Sequence, residues 1–427
     1  MKSNEHEHAP APLSTIVRNG RVLTPDGFQN VSVGARDGAV AYLGDVAGEP
    51  RAHQVIDATG AYVLPGLVDL HTHVYLGSAR LGVNPDKTAA ISGVTTWVDA
   101  GTSGAGTFEG LLMHVRDRSR SRVIPFLNMS YVGLAPAGML TREIGEFWNP
   151  AFADLRAVLR VEEEFPGQVR GIKVRASSNA MGDYAHTVLP QAREAADILD
   201  VPLMVHIGMS PPTLPEVLPY LGEGDIITHC FHPHAGGTIL GSSGTVRPAV
   251  REAVARGVLL DVGHGVASMS HSVAIQALSE GILPHSLSSD IHAQNIGGPI
   301  KSMLTVLELF LSLGMSEEDV FLRSTARPAD AVHRPDLGRL VLGAPADVAI
   351  LRVVEGAAIK QDSTGHLLEL TKEIRHQVTL VAGEVLEPFD DGRTEFRSSP
   401  WLAKFGASAE LFEEAPEPPG LPTTNEE

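Results

Sequence analysis

Two histidines one residue apart, His71 and His73, end the short apolar run Gly66-Leu67-Val68-Asp69-Leu70. In a strand, side chains alternate between faces, so both imidazoles would project the same way. Such a pair can share one divalent metal, but two imidazoles are too few to hold an ion and activate water. The spacing alone is not diagnostic, because His6-Glu7-His8 repeats it in a polar terminus without a scaffold. Further ligands must therefore come from elsewhere in the chain.

Four other candidate strands carry a donor. Lys173 lies within Gly171-Ile172-Lys173-Val174-Arg175, and Leu203-Met204-Val205 ends in His206. Ile226-Ile227-Thr228 ends in His229, and Ser286-Leu287-Ser288-Ser289 ends in Asp290. Taken singly, each is ordinary. A strand-end histidine is commonly a hydrogen-bonded core residue, a strand lysine pairs with a neighbouring carboxylate, and an aspartate after a strand caps the next helix. Taken together, in this order, they predict a metal site with nitrogen and oxygen ligands.

The elements that would position them form an alternating pattern. Candidate strands are 67–71, 95–100, 123–129, 171–176, 202–207, 225–230, 258–263 and 286–290, and helical patterns over 108–120, 151–165, 186–199, 246–255, 270–278 and 301–313 fall among them. This is the rhythm of an α/β protein with a closed (β/α)8 TIM barrel, whose chemistry gathers at the C-terminal ends of the strands. Both flanks read as short strands. Asn19-Gly20 signals a hairpin, and Gly338-Arg339-Leu340-Val341, 346–351 and 378–383 read as strands after the barrel. The expected division is a small β-sandwich begun by 13–66, a barrel over 67–335, the sandwich completed by 336–395, and a Pro/Glu-rich extension over 396–427.

Composition narrows the class. The 427 residues hold 43% hydrophobic and 20% charged residues, which is ordinary for a globular protein. Net charge is −18, which argues against nucleic acid or an anionic membrane as partner. Eighteen histidines and a single cysteine, Cys230, exclude an internal disulfide and a thiolate zinc site. No apolar run approaches a membrane span, and Met1 to Pro12 lacks the apolar core of a secretory signal, so the expected compartment is the cytoplasm.

The residues Pro65-Gly66 with His71-Thr72-His73, then Lys173, His206, His229 and Asp290, resemble the amidohydrolase superfamily over about 15–383. Gly343-Ala344-Pro345-Ala346-Asp347 is similar to that superfamily's return into its sandwich. Gly171 to Arg175, Thr228-His229-Cys230-Phe231-His232 and Asp261-Val262-Gly263-His264-Gly265 resemble its deacetylase-type branch, related to dihydroorotase. The resemblance implies two divalent ions, usually zinc. His71, His73 and Asp290 would hold the more buried ion, and His206 and His229 the more exposed one. Lys173 would bridge both as an N-carboxylated side chain. A hydroxide between the ions would attack a carbonyl, and Asp290 would move the proton to the leaving group.

Substrate contacts are less determined. Arg175 shares a face with Lys173 and could clamp a carboxylate, or pair with a loop acid. His264 could donate to substrate or pack at the rim, and Tyr131 could touch substrate or be a plain rim aromatic. His232, His234 and His292 read as supporting or surface residues, and Cys230 faces the helix layer. The resulting expectation is a hydrolase of a small acyl amide or ester, working as a homo-oligomer on a small molecule. A cyclic amidase of dihydroorotase or hydantoinase type is the rival, but Val74-Tyr75-Leu76-Gly77 lacks the arginine that dihydroorotases place after the histidine pair. A mononuclear deaminase would not need Lys173. A barrel serving only as an inactive scaffold is the non-enzyme alternative.

Overall fold

Seven parallel strands follow one another in chain order in the computed structural model: Leu67–Thr72, Val94–Gly104, Arg122–Asn128, Ile172–Ala176, Leu203–Ile207, Ile226–Thr228 and Leu259–Asp261. The structure describes residues 11–77, 81–134, 145–296 and 300–392, so His6-Glu7-His8 and the 396–427 extension lie outside it. The eighth expected strand, 286–290, is present only as single bridges, Asp261 to Ser286 on one side and Thr72 to Ile291 on the other. The sheet thus nearly closes. The physical reason for the irregularity is local. Ser286 and Ser288 turn their hydroxyls onto Asp261, Ser289 turns its own onto Asp69, and Asp290 adopts φ 50°. Side-chain bonds to carboxylates replace the ladder that a regular strand would make.

Register stacks the barrel in layers. Phe126 lies two residues before Asn128, which pairs with Lys173, which pairs with Met204, which pairs with Ile226. One layer up, Arg175 pairs with His206, His206 with Thr228, and Thr228 with Asp261. Neighbours in register share a face, so Met204 and Ile226, which cluster with Phe126, lie below the polar row of Arg175, His206, Thr228 and Asp261. Helices on the outside are started by side-chain caps. Asp154 accepts the amide of Ala157, Ser270 that of Val273 and Ser302 that of Leu304, opening Leu155–Glu164, His271–Ser279 and Met303–Ser312. Cys230 is fully buried in the outer apolar layer, with its thiol pKa pushed up by burial.

The flanks form two further sheets. One has four strands, in the order Ala39–Gly44, Ser32–Arg36, Leu13–Arg18, Ala52–Asp57. The other has six, in the order Glu384–Val385, Leu367–Val381, Val348–Gln361, Tyr62–Pro65, Arg21–Thr24, Gly27–Gln29. Val17, Val33, Val63, Val348, Ile350 and Leu380 belong to one apolar core shared by both sheets.

Three flank expectations need correction. Asn19-Gly20 does turn the chain, with Asn19 at φ 64°, but the strands on either side go to different sheets and form no hairpin. Gly20 sits so close to Val63 that a Cβ there would lie 2.4 Å from its methyl, and Arg21 and Val22 pair in parallel with Tyr62 and Val63 instead. Gly338 to Val341 is a turn and coil, because Gly338 takes φ 64° against the Thr325 carbonyl; only Leu340 enters the core. The last hairpin is far longer than its apolar stretches, with strands of 14 and 15 residues. Its outer half leaves the sheet and packs on helix Met303–Ser312, where Glu308 accepts the amide of Ile374. Its tip docks through Asp362, which accepts the amide of His271 at 2.7 Å.

Candidate metal centre

The first strand delivers His71 and His73, and the eighth segment delivers Asp290. His71 Nε2 and His73 Nε2 lie 3.5 and 3.2 Å from Asp290 Oδ1, and the three ligand atoms all fall within 4.8 Å of one another. Strands five and six bring the other two imidazoles. The ring of His229 lies 4.8 Å from that of His71 and 4.1 Å from that of His206, the last at 77°. Lys173 projects between them from strand four, its Nζ 3.0 Å from His71 Nε2 and 3.5 Å from Met204 Sδ. All six residues expected as ligands therefore converge on one mouth.

The hydrogen bonds on the far side of each ring fix which nitrogen is free. His71 Nδ1 is 2.6 Å from Thr228 Oγ1, whose own proton goes to Asp261. Nδ1 therefore donates, and Nε2 keeps its lone pair for a cation. His229 Nδ1 donates to the Gly263 carbonyl at 2.5 Å, again leaving Nε2 open. His73 Nδ1 meets Thr102 Oγ1 at 2.7 Å, with Asp99 behind the threonine. Oriented histidines of this kind are the usual support of a metal ligand. His229 Nε2 and Asp290 Oδ1 are buried and have no hydrogen-bond partner among the described residues. An uncompensated buried acceptor is costly, and a bound cation would relieve each of them.

Backbone shape serves the same end. His229 and Asp290 take φ 66° and 50°, a region that non-glycine residues rarely occupy. Gly101, at φ 73°, clears the lysine: a Cβ there would lie 2.6 Å from Lys173 Cβ. Gly265 does the same for Asp290, whose Oδ2 a Cβ would meet at 2.6 Å.

Burial sets the charges. It holds His71 well below the usual imidazole range and pushes His73 down to about 3, so both are neutral. It lowers Lys173 to about 7 and raises Asp290 to about 6. A neutral amine is thus accessible at Lys173 near neutral pH. Neutral imidazole nitrogens and a desolvated carboxylate suit a borderline divalent ion such as zinc.

The residues expected to touch substrate fare differently. Arg175 is buried and ion-paired with Glu146, which also accepts from Asn128 at 3.2 Å, so the loop-acid alternative is the one seen. His264 is buried, donates from Nδ1 to the Gly265 carbonyl at 2.9 Å, and has Lys360 and Asp362 of the hairpin tip as charged neighbours. Tyr131 is exposed, with its ring over Gly106 and outside the ligand cluster. His232 and His292 are fully buried rather than surface residues, and His234 is half-buried. Sequence reasoning missed Glu146, Asp99, Thr102, Thr228 and Asp261. Asp261 and Thr228 had a signal, since each sits on the ligand-bearing face at a strand end.

Comparison with known proteins agrees with this geometry. A family model described as the amidohydrolase family matches residues 54–108. The chain is 32% identical over 394 residues to a deacetylase of Agrobacterium fabrum, covering 90% of this chain and 95% of that one. A solved structure titled as a dihydroorotase is 31% identical, with a TM-score of 0.79 over 87% of this chain and 97% of that one. Another, titled as an adenine deaminase, is 28% identical, with a TM-score of 0.80 over 89% and 100%. The barrel, the converged donors and this level of likeness lead to one conclusion: the chain is an enzyme, a hydrolase belonging to the amidohydrolase superfamily and to its deacetylase branch.

Proposed function

We propose that this protein is a binuclear metal-dependent hydrolase of a small acyl amide or ester, of deacetylase type. The observation that carries the reading is the meeting of His71 Nε2, His73 Nε2 and Asp290 Oδ1, with the histidines' other nitrogens tied outward. His71, His73 and Asp290 would hold the more buried ion, and His206 and His229 the more exposed one. Lys173 would lie between them. Its neutral amine could take up carbon dioxide, forming an N–C bond and releasing one proton, and the resulting carbamate would supply oxygen donors for such ions. Bound divalent ions supply Lewis acidity and a water whose pKa falls from roughly 15.7 toward about 7.

The chain's own groups do the rest. Asp290 accepts the proton of the nucleophile and returns it to the departing nitrogen or oxygen. Its raised pKa fits a group that must both take and give a proton near neutrality. Thr228 and Asp261 hold His71 in one tautomer. Glu146 neutralises Arg175 and keeps its charge from repelling a cation two residues from Lys173.

Residues 67–335 are the catalytic barrel on this reading, and 13–66 with 336–395 form one β-sandwich that braces it, the last few residues lying outside the described ones. No helix among the described residues is long and apolar enough to cross a membrane. The net charge of −18 supports an enzyme that takes a small molecule and neither nucleic acid nor an anionic membrane, and a cytoplasmic location is part of the proposal. A homo-oligomer is part of the proposal. A ring-opening cyclic amidase is the second reading, favoured by the likeness to the solved dihydroorotase.

Metal analysis with an activity screen tests all of this. Near two equivalents per chain, and cleavage of N-acetyl amino acids or acetylated hydroxy acids, are expected. Cleavage confined to cyclic ureides would move the assignment to the second reading. A protein that takes up no metal would end both.

A further inference from the structure

His292 does not belong with the metal-binding imidazoles, although its ring lies 6.3 Å from that of His73 and two residues beyond Asp290. Its hydrogen bonding runs the opposite way. Nδ1 accepts the backbone amide of Gln294 at 3.1 Å, so that nitrogen must carry the lone pair. In the neutral ring the proton is then on Nε2. Metal-binding nitrogens need a lone pair, and this one has none to give. The ring is also fixed. The amide of His292 donates to Asn295 Oδ1 at 2.8 Å, and Asn295 Nδ2 donates to the Asp290 carbonyl at 2.7 Å. The loop that sets Asp290 therefore sets His292 too.

With Nδ1 turned back on its own loop, Nε2 faces away from it. That atom is buried and has no partner among the described residues. His232 has the same arrangement on Nδ1, accepting the amide of His234 at 3.1 Å, and its Nε2 is likewise buried without a hydrogen-bond partner among the described residues. His292 differs in its place: its ring lies beside that of His73, on the loop that sets Asp290, as a buried and oriented donor. A buried donor left without an acceptor costs stability, and an arriving acceptor recovers it.

We propose that His292 Nε2–H donates a hydrogen bond to an oxygen of the substrate beside the scissile bond. The oxygen is either that of the acyl carbonyl or one of a carboxylate on the leaving group. With Arg175 engaged by Glu146, a neutral donor on the Asp290 loop takes the anchoring part. The inference rests on the hydrolase reading above and adds a residue that touches substrate and holds no metal.

The test compares wild-type enzyme, H292F and H292Q, each metal-loaded. The substrates are an N-acetyl amino acid and the same compound without its carboxylate. Phenylalanine fills the ring's space and removes the donor; glutamine returns an amide N–H near the place of Nε2. H292F should keep wild-type metal content and lose about 10- to 100-fold in kcat/KM, and H292Q should regain most of it. A loss confined to the carboxylate-bearing compound identifies the carboxylate as acceptor. An equal loss on both identifies the acyl oxygen and falls on kcat. Activity of H292F within about twofold of wild type on every compound that wild type cleaves overturns the proposal. Metal loss in step with activity also overturns it. Independently of turnover, the Nε2–H proton, assigned by its absence in H292F, should move downfield in wild type saturated with a non-hydrolysable acyl analogue. An unmoved resonance sinks the donor role even where no substrate is turned over, whereas an inactive wild type by itself counts only against the hydrolase reading.

Discussion

The barrel mouth and the flank core are built on opposite terms. The flank core is a set of aliphatic side chains, Val17, Val33, Val63, Ile350 and Leu380 among them, drawn from both ends of the chain. Each removes apolar surface from water and asks for little else. The mouth buries carboxylates instead. Burial raises Asp99 and Asp261 and brings Asp69 to about 7, and each carboxylate is held by serine or threonine hydroxyls or backbone amides. Two ligand-bearing positions there, His229 and Asp290, also sit at positive φ. One region accumulates stability and the other gives some of it up to hold a costly geometry.

Substitutions can break that contrast, and the strongest lie in the mouth. Lys173→Ala should abolish uptake of the metal pair and lower turnover by more than ~10³-fold. Short carboxylic acids should partly restore both, and metal content read beside activity decides it. Asp290→Asn should keep metal and lose ~10²- to 10⁴-fold in kcat, without lowering the thermal midpoint of the metal-free protein, since asparagine tolerates the same φ and carries no buried charge. Turnover near wild type with ions bound would remove Asp290 from proton transfer. Thr228→Val cuts the link from Asp261 to His71 and should weaken metal affinity ~10- to 100-fold, measured by chelator competition.

The flank should answer in the other currency. Ile350→Ala should cost roughly 2–5 kcal/mol of stability by denaturant unfolding while kcat of the folded enzyme stays put. A matching fall in kcat would show that the two regions are not separable. The smallest effect concerns His376 in the last hairpin, which burial lowers to about 4 and which contacts Thr379 Oγ1 at 2.8 Å. Between pH 6.5 and about 4 the unfolded chain binds a proton that the folded protein refuses, so its contribution is complete above 6.5 and is lost as pH falls through that window. The slope of thermal midpoint against pH across the window should therefore be shallower in His376→Gln.

The donors that meet at the mouth were legible because an apolar strand that carries a donor writes both facts into a few adjacent letters. Lys173 inside Ile172 to Val174 is the plainest case. Partners that reach the mouth from loops left no such mark. Glu146 neutralises Arg175 from a position with no periodicity around it, and only coordinates reveal the pair. His292 was visible as a residue but not as a donor, because its tautomer depends on a backbone amide two positions on. The long hairpin was half read. Val348 to Leu351 and Val378 to Val381 are short apolar runs that read as strands, whereas Gly356 and the charges around it hide the outer half, whose support comes from helix Met303–Ser312. Leu340 misled in the other direction, since one buried leucine beside a left-handed glycine resembles a strand and is coil.

The pairing of Tyr62–Pro65 with Val348–Leu351 sets a timetable for biosynthesis. The strand that leads straight into the histidine pair has no neighbour on that side until almost the whole barrel has left the ribosome. At about 5–20 residues per second, that interval is roughly 15–60 s. For that time the nascent chain carries a sticky, half-dressed edge, and a chaperone that shields it has its work set by the order of the sequence rather than by the difficulty of the fold.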